Sequence, residues 1–172
     1  MKLKVVVFAV LVLVFGYLLA GPYIAVYQLK VAAENNDAEA LAKHVDFVVL
    51  RDNLKTQMHD RLGRKMEKKA LSNNPLAAFG AAFGSIMVDT MVDMYITPEG
   101  LVELMKGRKP ALKGKRQAVT RSLDSTTELF PNALLSYEST NLFSITLPNK
   151  GIKFLLSRNG LHWQLTNVTL PE

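Results

Sequence analysis

The chain has 172 residues, no cysteine, three histidines and a formal net charge of +6 at neutral pH, and 49% of its residues are hydrophobic. Without cysteine it has no disulfide framework, no thiol nucleophile and no thiolate metal site. Its excess of bases sits in one tract without interleaved aromatics, which argues against nucleic acid as a partner.

The first residues are MKLKVVVFAVLVLVFGYLLAGPYIAVYQL, in which Lys2 and Lys4 precede an uncharged run from Val5 to Leu29. A bilayer crossing needs roughly 20 apolar residues in a helix. Val5 to Ala20 is slightly short of that, and the uncharged continuation to Val26 supplies the length. A cleaved signal peptide would share these features. Its best cleavage point is Ala20, where Leu18 two residues before and Pro22 just beyond make a poor site. Residues 1–21 are therefore expected to be a retained signal-anchor, with Lys2 and Lys4 cytoplasmic. Residues 22–172 would form one domain on the other side of the inner membrane, in the periplasm; a cleaved signal and a soluble periplasmic protein is the alternative.

Gly21-Pro22 is expected to end the membrane helix and open another over Tyr23–Glu34. Asn36 and Glu39 have capping-box spacing for a short helix through His44. Asp46 is the natural cap of a long amphipathic helix, Val48–Lys69, with Leu50, Leu54, Met58 and Leu62 on its apolar stripe. Pro75 begins the next helix, which reaches Tyr95 and is the most apolar stretch of the domain. Its uncharged part, Leu76–Val88, is too short to span a bilayer, so it is expected as a central helix buried against a sheet, with Asp89 and Asp93 turned to water. Gly80 and Gly84 form a G-x-x-x-G, a weak signal for close packing in a soluble helix. Thr97-Pro98-Glu99 combines a hydroxyl cap, a proline at the first position and an acid in the first turn, opening a helix to about Lys106.

Residues 106–121 then carry Lys106, Arg108, Lys109, Lys113, Lys115, Arg116 and Arg121 with no acid. This tract reads as a solvated basic loop; the functional alternative is a membrane-surface patch for anionic head groups, carried by Lys106, Arg108, Lys109, Lys113, Lys115 and Arg116. Beyond it the period changes to two. Leu134–Thr140, Asn141–Leu147, Ile152–Ser157 and Leu161–Leu170 read as strands joined by turns at Pro148–Gly151 and Asn159-Gly160. The apolar parity switches between Leu165 and Val168, which calls for a bulge near Thr166-Asn167. Helices followed by consecutive strands predict an α+β fold: an N-terminal transmembrane helix, then a helical half packed on a C-terminal antiparallel β-meander.

The phrases GPYIAVYQLKVAAENNDAEALAKHVDF, VLRDNL, YITPEGL and GIKFLLSRNGLHWQLTNVTLP, in that order, resemble the uncharacterised bacterial family named domain of unknown function 2939. The resemblance covers nearly the whole chain apart from the basic tract. It implies a membrane segment, a helical half and a short sheet, and it transfers no catalytic residue. The layout is also similar to cystatin-like and nuclear-transport-factor-like cone folds, an analogy of fold that implies no function.

Candidate chemistry is sparse. His44, His59 and His162 show no metal-ligand spacing, Ser85 lacks the pattern of a nucleophile elbow, and no glycine loop for phosphate occurs. His44 ends a helix, where a cation suits the dipole, and His162 should alternate outward beside Trp163. No catalytic residue, metal or cofactor is assigned. Tyr27, Tyr95 and Trp163 are the candidate pocket aromatics if the sheet curls over the central helix. The expected role is a non-enzymatic binding domain for an envelope protein or a small apolar ligand. The rivals are an enzyme with Asp46, Asp89 or Asp93 as general base, and a structural subunit packing through the Gly80/Gly84 helix.

Overall fold

Pro22 does not end the first helix. In the computed structural model, α1 runs unbroken over Lys2–Glu34, about 50 Å at 1.5 Å per residue. The structure describes residues 2–67, 75–105 and 132–169, with side chains omitted at 2, 3, 14, 15, 18, 67, 75–79, 81 and 150. The expected break after residue 21 is thus corrected. Proline removes one helical hydrogen bond, but Pro22 is fully buried and the hydroxyl of Tyr137 donates to the carbonyl of Leu19 at 2.7 Å, so the sheet braces that turn. Beyond it, Ala25, Leu29, Ala32 and Ala33 are buried in the core, while Val5 to Leu13 stand exposed on the projecting end. Among the described residues no helix is long and apolar enough to cross a membrane.

Asn36, in the left-handed region at φ 57°, closes α1. The N–H of Asp37 returns to the carbonyl of Ala32 at 2.8 Å, a Schellman-like closure. Asp37, not the expected Asn36, caps α2 (Ala38–Lys43), its carboxylate accepting from Ala40 N at 2.8 Å. Asp46 caps α3 (Phe47–Glu67) as expected, accepting from Val49 N at 3.1 Å.

α4 (Pro75–Tyr95) is not a central helix. It lies against α3, antiparallel to it, with Gly84 level with Leu62 and Gly80 level with Met66. A Cβ on Gly84 would stand 3.1 Å from Leu62 Cδ2, so the G-x-x-x-G serves close packing within this chain. Asp93 meets Lys55 at 2.8 Å and Asp89 meets His59 at 2.8 Å at the edge of this helix pair, with both carboxylates about half exposed. The apolar side chains Phe83, Ile86, Met87 and Met94 point outward, Phe83 63% and Ile86 66% exposed. The expectation of a helix buried against the sheet is corrected: α4 packs on α3, with Val92 in the core and Val88 against it. Asp89 and Asp93, as expected, keep about half of their side-chain surface in water, at 45% and 51%. α5 (Pro98–Met105) begins as predicted, with Thr97 Oγ1 accepting from Gly100 N at 3.0 Å.

The sheet is a four-stranded antiparallel meander in the order β1 (Leu134–Ser139), β2 (Leu142–Leu147), β3 (Ile152–Asn159) and β4 (His162–Thr169). Phe143, Ile145, Leu156 and Leu165 face the helices and are buried, whereas Thr146, Lys153 and Ser157 lie on the other face. The second hairpin closes on Asn159 paired with His162, so its two-residue turn is Gly160-Leu161, one residue later than Asn159-Gly160. The expected bulge is present: Leu155 pairs with Asn167 and Leu156 with Leu165, leaving Thr166 as the extra residue.

A bulge leaves backbone groups outside the ladder, and α3 satisfies them. Asn53 Nδ2 donates to Thr166 O at 2.9 Å, and Gln57 Nε2 donates to Asn167 Oδ1 at 2.8 Å and to Val168 O at 3.2 Å. The link between α2 and α3 covers the outer edge of β4. Leu165 N donates to His44 O at 2.8 Å, and Asp46 N donates to Leu165 O at 3.0 Å. Replacing Asn53 with Ala strands the Thr166 carbonyl and should cost about 1–3 kcal/mol. Urea unfolding should show a lower midpoint at unchanged slope.

Candidate functional site

Two concavities flank the α3–β4 seam. The first lies between α3, α4, α5 and the ends of β3 and β4, with a volume of about 400 Å³. The stripe of α3 supplies Leu50, Leu54 and Met58, α4 supplies Val88 and Met91, and Phe154 and Val168 form the sheet wall. Among the described residues that line it, Tyr95 alone has a side chain carrying an oxygen or nitrogen. Met91 and Leu104, both partly exposed, mark where the cavity meets solvent. Three methionines (Met58, Met91 and Met105) line it, and their unbranched thioethers adapt to irregular apolar shapes. The volume falls in the range of small-molecule pockets, roughly 300–1,000 Å³.

The second is a more polar cleft of about 720 Å³ between α1, the end of α2 and the β3–β4 turn. Gly21 sits so close to Trp163 that a Cβ there would be 2.8 Å from the indole nitrogen. Trp163 also stacks edge-on with Phe143 and Tyr137 at centroid distances of 6.4 and 6.1 Å, and Tyr23 joins Phe143 at 5.0 Å. His44 and His162 both line this cleft. Burial, then the charges of His162 and Lys43, lower the pKa of His44 below its usual 6.5. The dipole argument for a cationic His44 is therefore outweighed.

The three expected pocket aromatics do not meet. Tyr95 lines the apolar cavity, Trp163 lines the polar cleft, and Tyr27 is 67% exposed. α1 continues through Pro22, and Tyr27 stands on its exposed side. The candidate membrane-surface bases Lys106, Arg108, Lys109, Lys113, Lys115 and Arg116 lie outside the described residues.

The carboxylates considered as general bases are committed elsewhere. Asp46 caps α3, Asp89 pairs with His59 and Asp93 pairs with Lys55, and none lines either concavity. One arrangement was not visible in the sequence. Ser85 Oγ is 3.3 Å from His59 Nδ1 while His59 Nε2 is 2.8 Å from Asp89 Oδ1. Ser85 and Asp89 are one turn apart on α4, and His59 reaches both from α3. Ser85 lies in the interior of α4, where its own N–H belongs to the helix and offers no oxyanion donor. The trio reads as a polar clasp between two helices. Among the described residues no group of histidine and carboxylate side chains could hold a metal ion.

The model of a family described as protein of unknown function (DUF2939) matches residues 11–104. The chain belongs to that family. The match begins within the apolar part of α1 and ends one residue before the end of α5, so it spans the helical half and stops before the sheet. The closing phrase GIKFLLSRNGLHWQLTNVTLP, part of the expected resemblance, lies outside it. No curated protein and no solved structure matches the chain.

A lowered folded-state pKa penalises protonation of His44 relative to the unfolded chain. The unfolded state then binds more protons below pH 6.5, and stability falls as pH drops from there through the lowered folded value. His44→Gln should flatten this part of the stability–pH curve, measured by urea unfolding in steps of pH.

Proposed function

We propose that the protein is a membrane-tethered, non-catalytic domain that binds a small apolar ligand in the cavity between α3, α4, α5 and the sheet. The observation that carries this reading is a cavity of about 400 Å³ with Tyr95 as the one polar-bearing residue among the described residues that line it. Such a surface suits transfer of an apolar molecule out of water, at about 25 cal/mol per Å² removed. No positioned acid, base or nucleophile faces the cavity, which favours binding over turnover. A hydroxyl at one end, from Tyr95, would orient a ligand carrying a single polar group.

The tether is argued from the uncharged run Val5–Leu29 and from the exposed apolar surface of α1 between Val5 and Leu13. With Lys2 and Lys4 held on the cytoplasmic side, the body is placed in the periplasm of a bacterial cell. The continuity of α1 makes tether and body one rod-linked unit. The outward face of α4, with Phe83, Ile86, Met87 and Met94, favours a second reading in which an envelope protein docks on that helix.

The full chain in a maltoside detergent should enhance the fluorescence of the uncharged probe N-phenyl-1-naphthylamine. Met91→Trp, which fills the cavity mouth, should weaken that binding at least about tenfold, a difference of 1.4 kcal/mol. Equal probe binding by the variant, or none by the wild type, sinks the ligand reading. The tether predicts retention in membranes after carbonate extraction and activity of a carboxy-terminal alkaline phosphatase fusion. Release into the soluble fraction, or an inactive fusion, counts against it.

A further inference from the structure

We propose that the cleft between α1, the end of α2 and the β3–β4 turn binds a phosphoryl anion, carried either by the head group of an anionic phospholipid or by free phosphate. The site rests on the tether half of the functional reading for its lipid form only.

Among the described residues, the lining contains no carboxylate. It gathers Lys43, His44 and His162 with the side-chain amides of Gln28, Asn159 and Gln164, a set able to donate several hydrogen bonds to one tetrahedral anion. Lys43 contributes a positive charge to the cleft wall, and burial, then the charges of His162 and Lys43, disfavour a proton on His44. A bound anion reverses that effect. Glu39 meets Lys43 at 3.8 Å with both side chains largely exposed. A surface pair of this kind contributes little and yields readily to a phosphoryl oxygen.

Position adds a second, independent argument. The cleft opens beside Tyr17 and Gly21, where the exposed apolar part of α1 leaves the body, and Leu161 projects from the hairpin tip 64% exposed. Aromatic side chains with polar tips favour the head-group level of a bilayer, and Tyr17, Tyr23, Tyr137 and Trp163 gather around this end of α1. A lipid phosphate at that depth would lie level with the basic groups while its chains follow the apolar helix.

Trp163 is the only tryptophan in the chain and lines the cleft, so its emission reports occupancy directly. The full chain in dodecyl maltoside, which carries no phosphate, is titrated with inorganic phosphate and separately with phosphatidylglycerol, with diacylglycerol as the uncharged control. Trp163 emission should shift, and the NMR titration midpoint of His44 should rise. Lys43→Gln combined with His162→Gln, both at exposed positions, should weaken the response at least about tenfold while circular dichroism stays unchanged. Response to phosphatidylglycerol alone assigns the lipid, to both probes the phosphoryl group itself, and to phosphate alone a soluble anion. No response to either probe, an equal response to diacylglycerol, or an unaltered response in the folded double variant overturns the proposal. Loss of membrane retention with the phosphate response intact would remove the tether and spare the site.

Discussion

The attachment of α3 to β4 governs the arrangement of everything around it. Two kinds of hydrogen bond make that seam. Backbone bonds run between residues 44–46 and Leu165, and the amides of Asn53 and Gln57 reach the bulged segment Thr166–Val168. The first set holds His44 beside the hairpin that carries His162, which creates the polar cleft. The second presents the Leu50–Leu54–Met58 stripe to Phe154 and Val168, which creates the apolar cavity. A regular β4 would leave no bulge carbonyl for Asn53 to bind, and Val168 would point to the opposite face. One extra residue, Thr166, thus decides which face Val168 takes and so the sheet wall of the apolar cavity.

α4 shows how contacts with one neighbour orient an apolar helix. Composition favours burial of its many apolar side chains, yet Asp89 and Asp93 find His59 and Lys55 at the edge of its contact with α3. The glycines at 80 and 84 meet Met66 and Leu62 of α3 and let the helices approach. Each exposed ion pair contributes modestly, so close packing along Leu62 and Met66 supplies much of the preference. The result is an unusual outer surface, with Phe83, Ile86, Met87 and Met94 facing solvent while Val88, Met91 and Val92 reach the cavity. Exposed apolar surface of this extent marks an interaction face more often than an inert one.

At the other end, the aromatic cluster of Tyr23, Tyr137, Phe143 and Trp163 locks α1 to the sheet. Gly21 admits the indole, and Tyr137 supplies a hydrogen bond to the turn that Pro22 weakens. These contacts explain why the helix passes through a proline and why its direction is fixed relative to the body. The family match over residues 11–104 coincides with the helical half and ends at the penultimate residue of α5. The sheet supplies one wall to each concavity from outside that span.

Local chemistry was legible in the sequence wherever the deciding partners lie within a few residues. The caps at Asp46 and Thr97, the period-two strands and the parity switch that marks Thr166 as a bulge are all written in short-range pattern, because propensity, capping and pleat direction act over one or two turns. The family was legible from its ordered phrases. What the sequence could not decide are features set by partners far apart in the chain. Helix α1 continues through Pro22 because Tyr137 and Trp163 come from the sheet, and the rotation of α4 about its axis is set by His59, Lys55 and Leu62 on α3. Tyr27, Tyr95 and Trp163 part company because Tyr27 lies on the exposed side of α1 while Tyr95 and Trp163 line separate concavities. The His44–His162 cleft exists only once Leu165 pairs with the α2–α3 link. Periodicity tells which side chains share a face; only tertiary packing chooses what that face meets.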